Sequence, residues 1–419
     1  MFDFLQLFFY NTNMKTSTLE KIKQPSNMLF IHRIFNGIAN AVFGIFVPLL
    51  IYTATDNLAL AFLFTAIKCF ADAVLFLVGK KIIRKYAIMS LIFSIIPIIA
   101  VYFLVKFLLG PDITIWFILL IAFLTALHET LYYGAINLIF SVMDKNADSA
   151  KFDIGSNIGQ ILFTLLGAFA LGAVKSSWIF VVIFATIMHI ASVVPLIIHY
   201  KQLNLIVKNI PKNNQIKVIK DNKYFNLYHF VFGIVNIFMD VALQLYLAYN
   251  GLTFEAVGVF MAASQIVKII ASALAKFLQS KKKDKLAVIV CSALVLLSIV
   301  GILIWQQAVV IYIFTLIIAF ACQLIHTVMF VRFVKSGVKT GYIYDTLYHR
   351  DFFQNTGRGI TMIVYVLSAM FPIMFGLGIG TSILTGVFGT LAINDDDKKI
   401  QKISENDKVE NSATKVQTE

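Results

Sequence analysis

The sequence predicts an all-α polytopic membrane protein with twelve transmembrane helices in two pseudo-symmetric six-helix bundles. Three observations predict it. Of the 419 residues, 59% are apolar and 14% charged, whereas soluble domains run about 45–50% apolar and about 25% charged. The apolar residues gather into stretches of about 20, long enough to cross the hydrocarbon core as helices. Finally, polar landmarks of the first half recur about 198 residues later in the second. A water-soluble enzyme and a disulfide-stapled secreted scaffold are excluded. Cys69, Cys291 and Cys322 lie inside apolar segments and form no CxxC pair, so neither a disulfide framework nor a metal site is expected.

Twelve stretches qualify as spans: 28–52, 57–79, 86–109, 114–142, 152–174, 177–199, 225–249, 254–277, 286–305, 308–334, 352–374 and 376–393. Residues 1–27 read as a cytoplasmic N-terminal segment. Met1–Tyr10 is apolar but lacks the basic start and small-residue cleavage site of a signal peptide, and Met14 is an alternative start. The first bundle takes 28–199, a polar linker 200–224 and the second bundle 225–393. Pro372, Gly376, Gly378 and Gly380 mark the turn between the last two spans. Residues 394–419 are polar, of mixed charge and free of aromatics, and read as a disordered cytoplasmic tail.

Charge gives the orientation. The net charge of +13 sits in short runs between spans, a topology signal rather than a nucleic-acid face. Lys80, Lys81, Arg84 and Lys85 follow span 2, six Lys fall between Tyr200 and Phe225, and Lys281, Lys282, Lys283 and Lys285 follow span 8, whereas the outer loops hold only Lys106 and Lys175. Both termini are therefore expected in the cytoplasm, with the chain a multi-pass monomer of the plasma (inner) membrane.

The repeat is specific in place. A shift of 198 residues carries His128 onto His326, Asp153 onto Asp351, Asn157 onto Asn355, Gly159 onto Gly357 and Gln160 onto Arg358. A shift of 196 carries Gly37–Asn40 onto Gly233–Asn236 in the first span of each half. Duplication explains agreement at the same structural position in both halves.

Polar side chains inside a span turn toward a partner or an aqueous cavity, and positions three or four apart share a helix face. Span 1 carries Arg33, Asn36 and Asn40 at that spacing; span 2 Lys68 and Asp72; span 4 His128, Glu129, Tyr132 and Tyr133; span 5 Asp153, Asn157 and Gln160. In the second half, Asn236, Asp240 and Gln244 mark span 7, Gln265 and Lys268 span 8, Gln323 and His326 span 10, and Asp351, Asn355 and Arg358 the eleventh. Spans 3, 6, 9 and 12 are apolar apart from Lys106 at an outer end, His189 and a few Ser and Thr. Eight helices around a polar cleft with four outside it is a transporter-like arrangement.

In this architecture the chain resembles the major facilitator superfamily over about residues 28–393. That family's loop between helices 2 and 3 usually runs Gly, Asp-Arg, Gly and basic residues. Here it reads Gly79-Lys-Lys-Ile-Ile-Arg-Lys-Tyr86, with the acid and the second Gly missing. The Gly-Pro-x-x-Gly-Gly element of drug exporters is absent too: span 5 has Gly155, Gly159, Gly167 and Gly172 but no Pro. The resemblance implies alternating access by rocking of the two halves.

Glu129 and Asp240 are the deep acids and the expected proton-coupling groups, with His128 beside Glu129, because an intramembrane carboxyl is functional by default. The expected substrate cavity comprises Asn36, Asn40, Lys68, Asp72, Tyr132, Asn236, Gln244, Gln265, Lys268, Gln323 and His326. Lys68 and Asp72 are spaced for an intrahelical pair, and Asp240 is a candidate partner for Lys268. Asp153, Asp351, Arg358 and Arg33 are the expected inner gate, while His189 and His326, as lone histidines, read first as satisfied packing residues and not as titrating sites. No HExxH, phosphate loop or nucleophile elbow is present, so neither an ATP-driven pump nor a cofactor is expected. The expected function is gradient-driven, proton-coupled transport of a small organic solute, with drug or amphipath export within that reading. Rivals are a lipid-precursor flippase and a non-transporting receptor or scaffold on the same fold.

Overall fold

The computed structural model describes residues 25–43, 47–108, 114–143, 156–161, 164, 178–201, 203–204, 222–339, 343–368 and 370–416. Helices follow the apolar stretches in order. They are α1 (Pro25–Phe43), α2 (Val47–Thr55), α3 (Leu58–Lys85), α4 (Ala87–Phe93), α5 (Ile95–Leu108), α6 (Ile115–Met143) and α7 (Trp178–Ile198). Then come α8 (Lys223–Ile237), a π turn over Phe238–Ala242, α9 (Leu243–Tyr249), α10 (Phe254–Ser280), α11 (Asp284–Ile304), α12 (Ala308–Lys339), α13 (Ile343–Ser368) and α14 (Phe371–Val416). Residues 156–161 are also helical, but the rest of the expected fifth span lies outside the described residues.

Among the described residues, eight helices are long and apolar enough to cross a membrane. Their starts carry local signals. Asn57 accepts a hydrogen bond from the Leu60 N–H ahead of α3, and Thr253 does the same for Ala256 ahead of α10; each satisfies a donor that the first helical turn leaves open. Pro48 and Pro372 each sit second in their helices, α2 and α14, where a missing N–H breaks no helical bond.

The last position corrects the expected turn. Chain reversal occurs between Ser368 and Phe371, not across Pro372–Gly380, and the glycines continue inside α14. The tail is a second correction: α14 runs on through Val416 instead of dissolving at residue 394. Asp395 pairs with Lys399 one turn later at 2.8 Å. Arg332 holds Asp396 at 2.9 Å and also grips Asp397 and, at 2.8 Å, Asp284. Residues 394–416 contain neither Gly nor Pro to break the helix.

Helix α3 packs most extensively on α13, so the first and second halves of the sequence meet along one long seam. Phe62 meets Tyr365 edge-on near one end, Phe76 meets Tyr348 near the other, and Gly359 lies against Phe70 between them. Large apolar side chains point outward in rows, among them Ile183, Ile187 and Ile190 on α7, Val290 and Leu297 on α11 and Ile383 and Val387 on α14. In water such rows would be a liability; in a bilayer they face solvent of their own polarity.

Candidate functional site

A cavity of about 450 Å³ opens between the helices, within the range of small-molecule sites. Its wall draws on α1, α2, α3, α6, segment 156–161, α8, α9, α10, α12 and α13. Helix α5, expected to stand apart, also supplies Ile98 and Val101; among the described residues α7, α11 and α14 supply none.

On the first-half side, Lys68 of α3 reaches across to Glu129 of α6 at 2.7 Å. The expected Lys68–Asp72 pair is therefore not the one formed. Asp72 turns toward α6, accepts a hydrogen bond from the Thr130 hydroxyl at 3.3 Å and stands within hydrogen-bonding reach of Glu129. Lys68 thus pairs with Glu129 while a second carboxyl, Asp72, stands close by. Asp72 is buried behind the wall rather than on it.

Behind the wall runs a satisfied polar chain. Asn40 donates to Asn36 at 2.7 Å, and Asn36 donates to His189 Nδ1 at 3.4 Å. His189 Nε2 then faces the Tyr102 hydroxyl at 2.6 Å, and that hydroxyl donates to the Ala39 carbonyl. His128, on the wall, is held from behind by the Ser94 carbonyl at 2.7 Å and stacks on Tyr132. Asn40 reaches the cavity; Asn36 and Tyr132 do not, while Tyr133 takes a lining place.

The second-half side is built on the π turn. Its wider winding keeps Asn236, Asp240 and Gln244 in line on the wall, and such turns recur at functional sites. Asn236 donates to Asp240 at 2.9 Å, Gln244 donates to the Asp240 carbonyl, and Lys268 of α10 stands 3.8 Å from the Asp240 carboxylate. The candidate Asp240–Lys268 partnership is thus present in the geometry. Gln323 donates to Ser272 and Thr327, both at 3.1 Å. His326 lies between the rings of Phe232 and Phe330, and Gln265 is buried with its carbonyl oxygen unpartnered.

Of the residues expected at an inner gate, Arg33, Asp351 and Arg358 all stand on the cavity wall. Arg33 donates to the Tyr132 hydroxyl at 3.2 Å, Asp351 pairs with neighbouring Arg350, and Arg358 bonds Asn355 at 3.2 Å and also Asn236. Asp153 lies outside the described residues. Among the described residues the ion pair that ties the halves is Lys80–Asp345, at 3.8 Å with both side chains more than nine-tenths buried. Sequence reasoning missed it, because Lys80 was absorbed into a basic loop and Asp345 lay outside the expected span.

The same helical arrangement occurs in solved structures. A bacterial homologue of the iron transporter ferroportin, in its outward-facing state with soaked iron, superposes with a TM-score of 0.66 at 12% identity, over 88% of this chain and 99% of that one. The human organic anion transporter MFSD10 (TETRAN) gives a TM-score of 0.57 at 11% identity, over 86% and 98%. The fold is that of the major facilitator superfamily. No protein-family model and no curated protein matches the sequence.

Within this major-facilitator fold the repeated glycines have a common job. A Cβ on Gly37 would run into the Ser156 carbonyl, and one on Gly159 into the Ile34 carbonyl. In the second half, Gly233 meets the Gln354 carbonyl and Gly357 the Phe230 carbonyl. The same helix pair is clamped by the same means in each half of the superfamily fold.

Proposed function

We propose that the chain is a secondary active transporter, not an enzyme, moving a small organic solute by alternating access of two six-helix bundles of twelve spans. Its orientation follows the basic loops, with both termini cytoplasmic and the monomer in the plasma membrane. The observation that carries the reading is the cavity with one lysine–acid pair from each half on its wall, Lys68–Glu129 and Lys268–Asp240. Burying ions in a membrane protein is costly, and they mark substrate and ion pathways. Glu129, with Asp72 at its back, and Asp240 carry the coupling protons, and His128 orders the Glu129 side. Asp72 beside the Lys68–Glu129 pair leaves an odd negative charge that a proton neutralises, so binding and release of that proton reset the cavity. The MFSD10 neighbour transports organic anions, which supports an organic cargo.

The test is reconstitution into vesicles with a pH-sensitive dye in the lumen. Benzoate, succinate, benzamide and benzylamine are added outside under an imposed proton gradient. At least one solute is expected to accumulate uphill with proton movement in the wild type and not in Glu129→Gln. Wild-type uphill uptake by that variant overturns the coupling assignment.

A further inference from the structure

Among the described residues, the charges on the cavity wall do not balance. Arg33, Lys68, Lys268, Arg350 and Arg358 face Glu129, Asp240 and Asp351. Adding Asp72, which stands behind Glu129, still leaves one positive charge in excess. Lys68, Lys268 and Arg350 each have a carboxylate partner. Arg358 is held differently. Its guanidinium donates to the side-chain oxygens of Asn355 and Asn236, which are neutral, and its Nε is buried with no acceptor. Among the described residues no carboxylate stands at ion-pair distance from it.

Two structural explanations fail. Arg358 is not extended toward the interface, for its guanidinium turns to Asn355 and Asn236 on the cavity wall. Nor does the helix contact require the charge, for the repeat places Gln160 at the matching position beside the matching glycine. There, among the described residues, the amide bonds Ser156 of its own helix. An ionised guanidinium held in place by neutral amides is a fork presented for a planar oxyanion.

Resting on the transport reading, we infer that the solute carries an anionic group and that Arg358 is its anchor. The carboxylate or phosphate of the solute takes the place beside Arg358 that no carboxylate among the described residues fills. Asn236 links the event to coupling, since it donates to Asp240 while accepting from Arg358. An anion drawn onto Arg358 loosens that amide and changes the surroundings of the second-half acid.

The test uses one skeleton in four charge states on the purified full chain: benzoate, phenyl phosphate, benzamide and benzylamine. Succinate, succinamide and 1,4-diaminobutane form a second set. Binding is read by thermal shift and uptake by vesicle flux. Anions are expected to stabilise and to move, their neutral and cationic partners not, with benzoate against phenyl phosphate deciding which oxyanion fits. Arg358→Gln should weaken anion binding at least tenfold, and Arg358→Lys should retain part of it. Where Arg358→Gln does not fold, Arg358→Lys alone carries the anchor test through its loss of affinity for benzoate or succinate. Transport of benzamide or benzylamine without the anions overturns the anion assignment and leaves the transport reading standing. Unchanged anion affinity in the Arg358 variants overturns the anchor. If no compound of any class binds or moves, the transport reading falls and this inference with it.

Discussion

Gly233 and Gly357 clamp α8 against α13, each leaving the room that the other helix's backbone occupies. The Phe230 carbonyl fills the space where a Gly357 side chain would begin, and the Gln354 carbonyl does so at Gly233. Backbone cannot swing aside as a flexible side chain can, so even one methyl forces the helices apart. Gly357→Ala and Gly233→Ala are each expected to destabilise by about 1–3 kcal/mol. Gly376→Ala and Gly380→Ala, with nothing near the added atom, should cost nothing and gain slightly in helix propensity. Thermal unfolding in detergent, followed with a thiol-reactive dye on the three buried cysteines, measures all four. Equal midpoints for the two sets would contradict the clamp.

The cluster of Lys68, Glu129 and Asp72 makes an asymmetric prediction. Glu129→Gln removes one acid and leaves Lys68 near Asp72, so the fold is expected to survive with a small loss. Lys68→Met takes the cation from both Glu129 and Asp72 and leaves two buried carboxyls facing each other. Removing one partner of a buried pair costs about 3–5 kcal/mol; with both partners partly open to the cavity, about 2–3 kcal/mol is expected here. The midpoint of Lys68→Met should thus fall below that of Glu129→Gln, and the reverse order would mean that Asp72 is not part of the cluster.

Much of this was legible in the sequence because membrane solvent imposes a crude rule: long apolar stretches become helices and polar residues within them face inward. Asn236, Asp240, Gln244 and Lys268, which share helix faces by their spacing, stand on the cavity wall. Choice of partner was less legible. Lys68 ignored the acid on its own helix for one on another, since helix–helix contact, not sequence spacing, sets which carboxylate lies nearest. The tail at 394 was misread for a related reason. Its composition is that of a solvated end, but Arg332, 62 residues and more away in sequence, holds it by contacts no local pattern reveals. The π turn at Asp240 left no sequence signal, and neither did the Lys80–Asp345 pair.

Lys80 and Asp345 join α3 to α13 where the two sequence halves meet, and the pair is nearly dry. Lys80→Met takes the cation from the buried Asp345 carboxylate and is expected to cost about 3 kcal/mol, with a smaller loss in Asp345→Asn. Neutralising both together should recover most of that loss. A double-mutant cycle on the unfolding midpoint gives the coupling directly. Additive losses would show that the two side chains do not interact.

Arg332 is the anchor of the long last helix. It draws Asp284 at the start of α11 and Asp396 and Asp397 of α14 to one point. At about 1.5 Å per residue, the 46 residues of α14 extend about 69 Å, over twice the hydrocarbon thickness. The part beyond the bilayer therefore depends on this contact rather than on lipid. Arg332→Ala also leaves Asp396, which is only 1% exposed, without its cation. Such a carboxyl returns to water if it can, and here it does so by releasing residues 395–401 from α11 and α12. Hydrogen exchange is the direct measurement: amides of 395–401 should lose protection in Arg332→Ala by at least tenfold, while those of α3 and α6 keep theirs. Deleting residues 395–419 in the otherwise unchanged chain should lower the unfolding midpoint through loss of the same contact. Combined with Arg332→Ala, that deletion should add little, since both act on one link.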